Sequence, residues 1–102
     1  MKIIIYQENN PTFRVDSNKK VYDKADYHKV YEMDWNPYEL PNDNNILETL
    51  FATFNQPPYP PSYKGHSMSV GDIVEIRIHE DFAKGSAKYI CDDFGWNKVE
   101  WK

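Results

Sequence analysis

The sequence predicts an α+β domain, a curled and mainly antiparallel sheet of about five strands, partly closed like a barrel, with one short helix packed on it. Three observations carry that expectation. A β-branched run, Ile3-Ile4-Ile5-Tyr6, opens the chain. Later segments alternate apolar and polar residues with the period of two that a half-buried strand requires. One stretch near the middle places apolar residues at helical spacing. With 102 residues, a single domain over 1–102 built on one core is expected.

Taken in order, the first strand ends at Glu8-Asn9-Asn10-Pro11, with Phe13-Arg14-Val15 flanking it. Asp16 to Lys20 reads as a turn. Residues 21–26 fit two readings, since Val21-Tyr22 favours a strand and Asp23-Lys24-Ala25-Asp26 accepts a short helix. From Tyr27 to Trp35, the set Tyr27, Lys29, Tyr31, Met33 and Trp35 alternates against His28, Val30, Glu32 and Asp34, which is a strand pattern stopped by Asn36-Pro37.

After Pro41 a polar loop leads to the helix, with Asn45 placed to cap and Glu48 at the third helical position. Ile46, Leu47, Leu50, Phe51 and Phe54 fall on one stripe and should face the sheet. Pro57-Pro58-Tyr59-Pro60-Pro61 is expected to be a stiff, extended connector rather than a ligand for proline-binding grooves. The small-residue turn Gly65 to Asp72 then feeds a strand in which Val74, Ile76 and Ile78 alternate with Glu75, Arg77 and His79, one face dry and one wet. Glu80 to Ser86 reads as a loop, Tyr89-Ile90-Cys91 as a strand, Asp92-Asp93-Phe94-Gly95 as a turn, and Trp96 to Trp101 as the closing strand.

Composition narrows the function classes. Twelve Lys and Arg against 16 Asp and Glu give a net charge of −4, the wrong sign for attraction to nucleic acid or anionic lipid. The single cysteine, Cys91, allows no internal disulfide framework and suits a reducing cytoplasm. The apolar N-terminal run is too short for a secretory leader, and no stretch is long enough to span a bilayer. A cytoplasmic protein is expected, with neither nucleic acid nor membrane as partner. Aromatic residues make up 16% of the chain, more than a small core absorbs easily, so some should face a partner.

Several of these segments together are similar to YodL-like domains of Gram-positive bacteria and their mobile elements. Those domains read as an aromatic-rich strand ending in Val-Tyr, a short helix ending in Phe-Asn, a proline-containing link, then Gly-His-Ser-Leu-Ser-Val-Ser-Asp-Val-Val, and finally Tyr-Tyr-Val-Asp with Gly-Phe. The matching residues are Tyr27 with Val30-Tyr31, Leu47 through Phe54-Asn55, Pro57 to Pro61, Gly65-His66-Ser67-Met68-Ser69-Val70-Gly71-Asp72-Ile73-Val74, and Lys88-Tyr89-Ile90-Cys91-Asp92 with Gly95-Trp96. Gly71 replaces a serine, and Cys91 and Trp96 replace valine and phenylalanine. The resemblance implies a fold more than a function. The namesake of the family is linked to the actin-like cell-shape filament, and no catalytic residues come with the resemblance.

Candidate chemistry is weighed residue by residue. His66, Ser67, Ser69 and Asp72 are the residue types of a hydrolase site, but crowded into one turn they should spend their bonds on nearby backbone. His28, His66, His79, Cys91 and Asp92 lack the paired spacing of a zinc site, so no metal or cofactor is expected. Cys91 should be a small buried residue whose neighbouring carboxylates raise its pKa.

These readings point to a small protein-binding module without catalytic activity, acting by occupying a partner's surface. Trp35, Tyr38, Tyr59 and Tyr63, in or beside loops, are the expected exposed contacts, together with His66. Two other readings stay open. One is a phage or mobile-element accessory protein that inhibits a host defence protein or an actin-like filament protein; with so few net charges spread along the chain it would be a weak mimic of DNA. The other is an enzyme with a site near His66 and Asp72.

Overall fold

The computed structural model describes residues 1–35, 42–77 and 86–102. Its elements are β1 (Lys2–Glu8), β2 (Val21–Tyr22), a 3₁₀ turn (Lys24–Asp26), β3 (Tyr27–Asp34), α1 (Asp43–Thr53), β4 (Ile73–Arg77), β5 (Ser86–Asp92) and β6 (Gly95–Trp101). They form one curled sheet of six strands in the order β2-β6-β5-β4-β1-β3. Every neighbouring pair is antiparallel except β2 with β6. The sixth strand, beyond the five expected, is β2. Only two residues long, it is too short to show a period, and it exists because the chain after the Asp16–Lys19 turn runs alongside Glu100 and Trp101.

Both faces of the sheet are covered, and the central strands feed both. On one face Ile3, Ile5, Val74 and Ile76 pack with Ile46, Leu47, Leu50 and Phe54 of the helix region and with Met68. On the other, Ile4, Tyr6, Ile73, Ile90 and Val99 pack with Tyr22, joined by the partly buried Val15, Tyr27 and Trp101. The single dry face expected for β4 is therefore corrected: Ile73 is buried too, against the segment that carries Val15 and Tyr22, and Glu75 is buried among Tyr6, Arg77 and Ser86. Ile78 and His79 lie outside the described residues, as does most of the loop expected over Glu80–Ser86, whose last residue instead begins β5.

A bulge resolves the mixed pattern of β3. Ile5 pairs with Tyr31 and Tyr6 with Lys29, leaving Val30 as the extra residue. Side chains change face at such a point. Val30, assigned by simple alternation to the polar set with His28 and Glu32, thus joins Tyr31 against the α1-side core.

The helix starts three residues earlier than its apolar pattern suggests. Asn42 is the cap, its side-chain oxygen accepting the Asn45 N–H at 2.9 Å. Residues 42–45 are all Asn or Asp, each a competent cap, and the apolar stripe cannot choose among them. Phe51, placed on that stripe by spacing, is partly exposed at its margin. The proline segment is not one straight strap: the Pro57–Pro58 bond is cis, and the Tyr63 N–H closes a turn on the Pro60 carbonyl. Among the described residues no helix is long and apolar enough to cross a membrane.

Candidate functional site

The Gly65–Asp72 turn is fastened to β1 through one buried side chain. Gln7 sits on the α1-side face, 1% exposed, and its Nε2 lies 3.0 Å from the Asp72 carboxylate, the His66 carbonyl and the Tyr63 hydroxyl. Its Oε1 accepts the His66 N–H at 3.1 Å. Tyr63 also donates to the His66 carbonyl, and Asp72 accepts the Ser69 N–H at 2.9 Å. Below, Met68 plugs the core and its N–H bonds to the Phe54 carbonyl. Cys91 N–H to Asp72 carbonyl and Gly71 N–H to Cys91 carbonyl continue the β4–β5 ladder into the turn.

The glycines follow from this geometry. A Cβ on Gly65 would collide with the Gln7 amide and press on Val30, while Gly71 has φ of +101°, a conformation that L side chains rarely adopt. Asp72 is 2% exposed. Burial pushes its carboxyl up to about 6, against the lowering influence of the Ser69 and Gln7 bonds and the His66 charge.

The groups of a hydrolase relay are in the same turn but bonded elsewhere. The Ser67 hydroxyl pairs with the Tyr59 hydroxyl at 2.8 Å, the Ser69 hydroxyl donates to the Ser67 carbonyl, and His66 Nδ1 lies 2.7 Å from that carbonyl. His66 Nε2 is buried without a partner among the described residues, under the Phe13 ring. His28 pairs with Asn9 at the far end of β1, and His79 lies outside the described residues. Burial, with Asp72 and Asp92 nearby, raises the Cys91 thiol to about 12. The second buried acid, Glu75, accepts from Ser86, from Tyr6 at 2.9 Å and from Arg77 at 3.2 Å. Burial would raise its pKa, but those bonds outweigh it and hold the carboxyl below its usual range.

The aromatics expected as exposed contacts divide differently. Trp35, Tyr59 and Tyr63 are half-buried against the α1-side core, so their expected exposure is corrected; Tyr38 lies outside the described residues. The physical reason is the turned proline segment. It folds Tyr59 and Tyr63 back onto Phe54, with ring centroids 6.4 and 4.5 Å away. The most exposed aromatic among the described residues is Phe94 instead, 98% accessible at the tip of the β5–β6 hairpin. It borders a cleft of about 290 Å³ with Phe51, Trp96, Glu48 and Asp93. The signal was present in the sequence, because a phenylalanine within a tight turn has no interior to enter.

A family model described as YodL-like domain matches residues 3–101. The chain belongs to the YodL-like domain family. No curated protein and no solved structure matches it. In this YodL-like domain the Gly65–Val74 stretch, one of the five pieces that carry the resemblance, holds the braced turn just described, with Gly65 making room for Gln7 and Asp72 holding both Gln7 and Ser69.

Proposed function

We propose that this YodL-like domain is a protein-binding module that acts by occupying its partner's surface, working in a reducing cytoplasm. The observation that supports this most is Phe94, standing in solvent beside Phe51 and Trp96 at the cleft. Covering one phenylalanine releases about 1.5–3 kcal/mol, and aromatic anchors of this kind dominate protein interfaces. His66, Tyr59 and Tyr63 belong to the braced turn and serve the fold first.

Affinity capture with purified wild-type protein, Phe94→Ser and Phe13→Ser tests the reading. The Phe94 variant should keep the wild-type unfolding midpoint and lose the captured partner, while the Phe13 variant, altered at another exposed aromatic, keeps it. Equal capture by all three proteins would rule the cleft out.

A further inference from the structure

We infer that the edge of β6 at Trp96 and Lys98, unpaired among the described residues, accepts an extended, lysine- or arginine-bearing segment of the partner as an added strand, seating one apolar side chain between Phe51 and Phe94. The inference rests on the protein-binding reading above and gives it a geometry and a partner chemistry. Along a strand, the N–H and C=O of alternate residues point to the same side. Glu100 N–H bonds to the Lys20 carbonyl at 2.8 Å and Lys102 N–H to the Tyr22 carbonyl at 2.9 Å, so even-numbered residues face away from β5. The same alternation turns the backbone groups of Trp96 and Lys98 outward. β2 does not reach them, because its ladder consists of Val21 with Glu100 and Tyr22 with Trp101. Upstream the chain turns at Asp16–Lys19, and Ser17 spends its hydroxyl on the Asp92 carboxylate.

The opposite edge of the sheet shows what a protected edge looks like. β3 carries the Val30 bulge, receives the Lys64 N–H on the Val30 carbonyl, and places Glu32 beside Lys2 and Lys29. The β6 edge carries Lys98 but no bulge, and an exposed phenylalanine and a cleft with aromatic and acidic walls stand directly at its start. Strand addition uses this pairing of features, with backbone bonds giving affinity and pockets for alternate side chains giving specificity.

Charge selects the occupant. Glu48 and Asp93 rim the cleft, and the whole chain carries −4. A second copy would bring like charge to a short edge, whereas a basic segment is drawn to it. Lys98 lies two residues along from Trp96, so the cationic residue of the partner belongs at the Phe94 end.

The test uses the full chain and synthetic peptides alternating lysine with valine and leucine. One control replaces lysine with glutamate, and two others are N-methylated on one or the other set of alternate residues. By calorimetric titration the lysine peptide should bind, the glutamate peptide at least tenfold more weakly, and one N-methylated peptide at least tenfold more weakly while the other is unaffected. In amide exchange by NMR, Trp96 and Lys98 should slow at least tenfold on binding, while Asn97, already laddered to β5, does not change. Equal binding by both N-methylated peptides, without slowing at Trp96 and Lys98, would overturn strand addition yet leave the Phe94 capture result standing. Equal binding of the glutamate peptide, or no binding of either, would overturn the basic partner. Slowing of the same amides with protein concentration alone would make a second copy the occupant and overturn the inference.

Discussion

Gln7 is the residue on which the braced turn depends, since it satisfies both backbone groups of His66 and one carboxylate oxygen of Asp72 at once. Removing a partner from buried polar groups leaves the full desolvation penalty on those that remain. Gln7→Ala should therefore destabilise the domain by about 2–4 kcal/mol, read as a lowered midpoint in urea; a shift within the error of the midpoint would contradict the brace. Asp72 adds a pH dependence of definite sign. Its folded pKa, about 6, lies above the ordinary value of 3.8, so its contribution is fully present below about pH 4 and is lost as pH rises through 6. The groups acting on it are His66, which opposes the rise, and Glu8, which adds to it. Glu75, whose pKa is lowered, contributes in the opposite direction, above its ordinary 4.5, so the comparison must be with a variant. Between pH 4 and 7, Asp72→Asn should remove a loss of about 2 kcal/mol. Parallel stability curves for the two proteins would show that the carboxyl does not titrate there.

At the scale of elements the strands other than β2, and the helix, were legible: β1 as a β-branched run buried on both faces, β3 and β4 by their period of two, the helix by its apolar spacing, and β5 and β6 as short runs on either side of an acidic turn. What stayed open or could not be read came from interactions between elements. The bulge at Val30 depends on its β1 partner, β2 on the closing strand, the burial of Ile73 on a segment far away in sequence, and that of Glu75 on Tyr6 of β1 and Ser86 of β5. The braced turn was legible as a turn and as one piece of the resemblance, but its anchor, Gln7, lies 59 residues from His66, and no local pattern marks it. Helix capping was ambiguous for a different reason, four adjacent residues of the right chemistry. The structure chooses Asn42, whose side chain and carbonyl both receive first-turn N–H groups. Asn42→Ala should thus cost about 1 kcal/mol, while Asn45→Ala, at an exposed helical position where alanine is the better helix former, should cost nothing, by urea unfolding of both variants. Equal losses would return the cap to Asn45.

For the whole molecule, the decisive feature is that the two cores share their walls. Ile3 and Ile5 face the helix while Ile4 and Tyr6 face Tyr22 and Val99, and on β4 Val74 and Ile76 oppose Ile73 in the same way. Neither face can lose its packing without exposing the back of a strand that the other face needs, so local unfolding of one core is coupled to loss of the other. The aromatic contacts closing the curl strengthen the link: Trp101 meets Tyr6 at 5.3 Å and Tyr27 at 5.4 Å, and Tyr27 meets Tyr22 at 6.3 Å. Tryptophan fluorescence reports both faces, Trp35 and Trp96 on the helix side and Trp101 on the other, while far-ultraviolet circular dichroism reports the shared sheet. The two signals should trace one urea transition. Phe54→Ala on the helix face and Trp101→Ala on the other should each move that single transition, by about 3–5 kcal/mol for the fully buried phenylalanine and less for the half-buried tryptophan, with the slope unchanged. A variant in which fluorescence and circular dichroism separate into two transitions would mean that one face holds its structure alone, and the shared strands would not be the source of cooperativity.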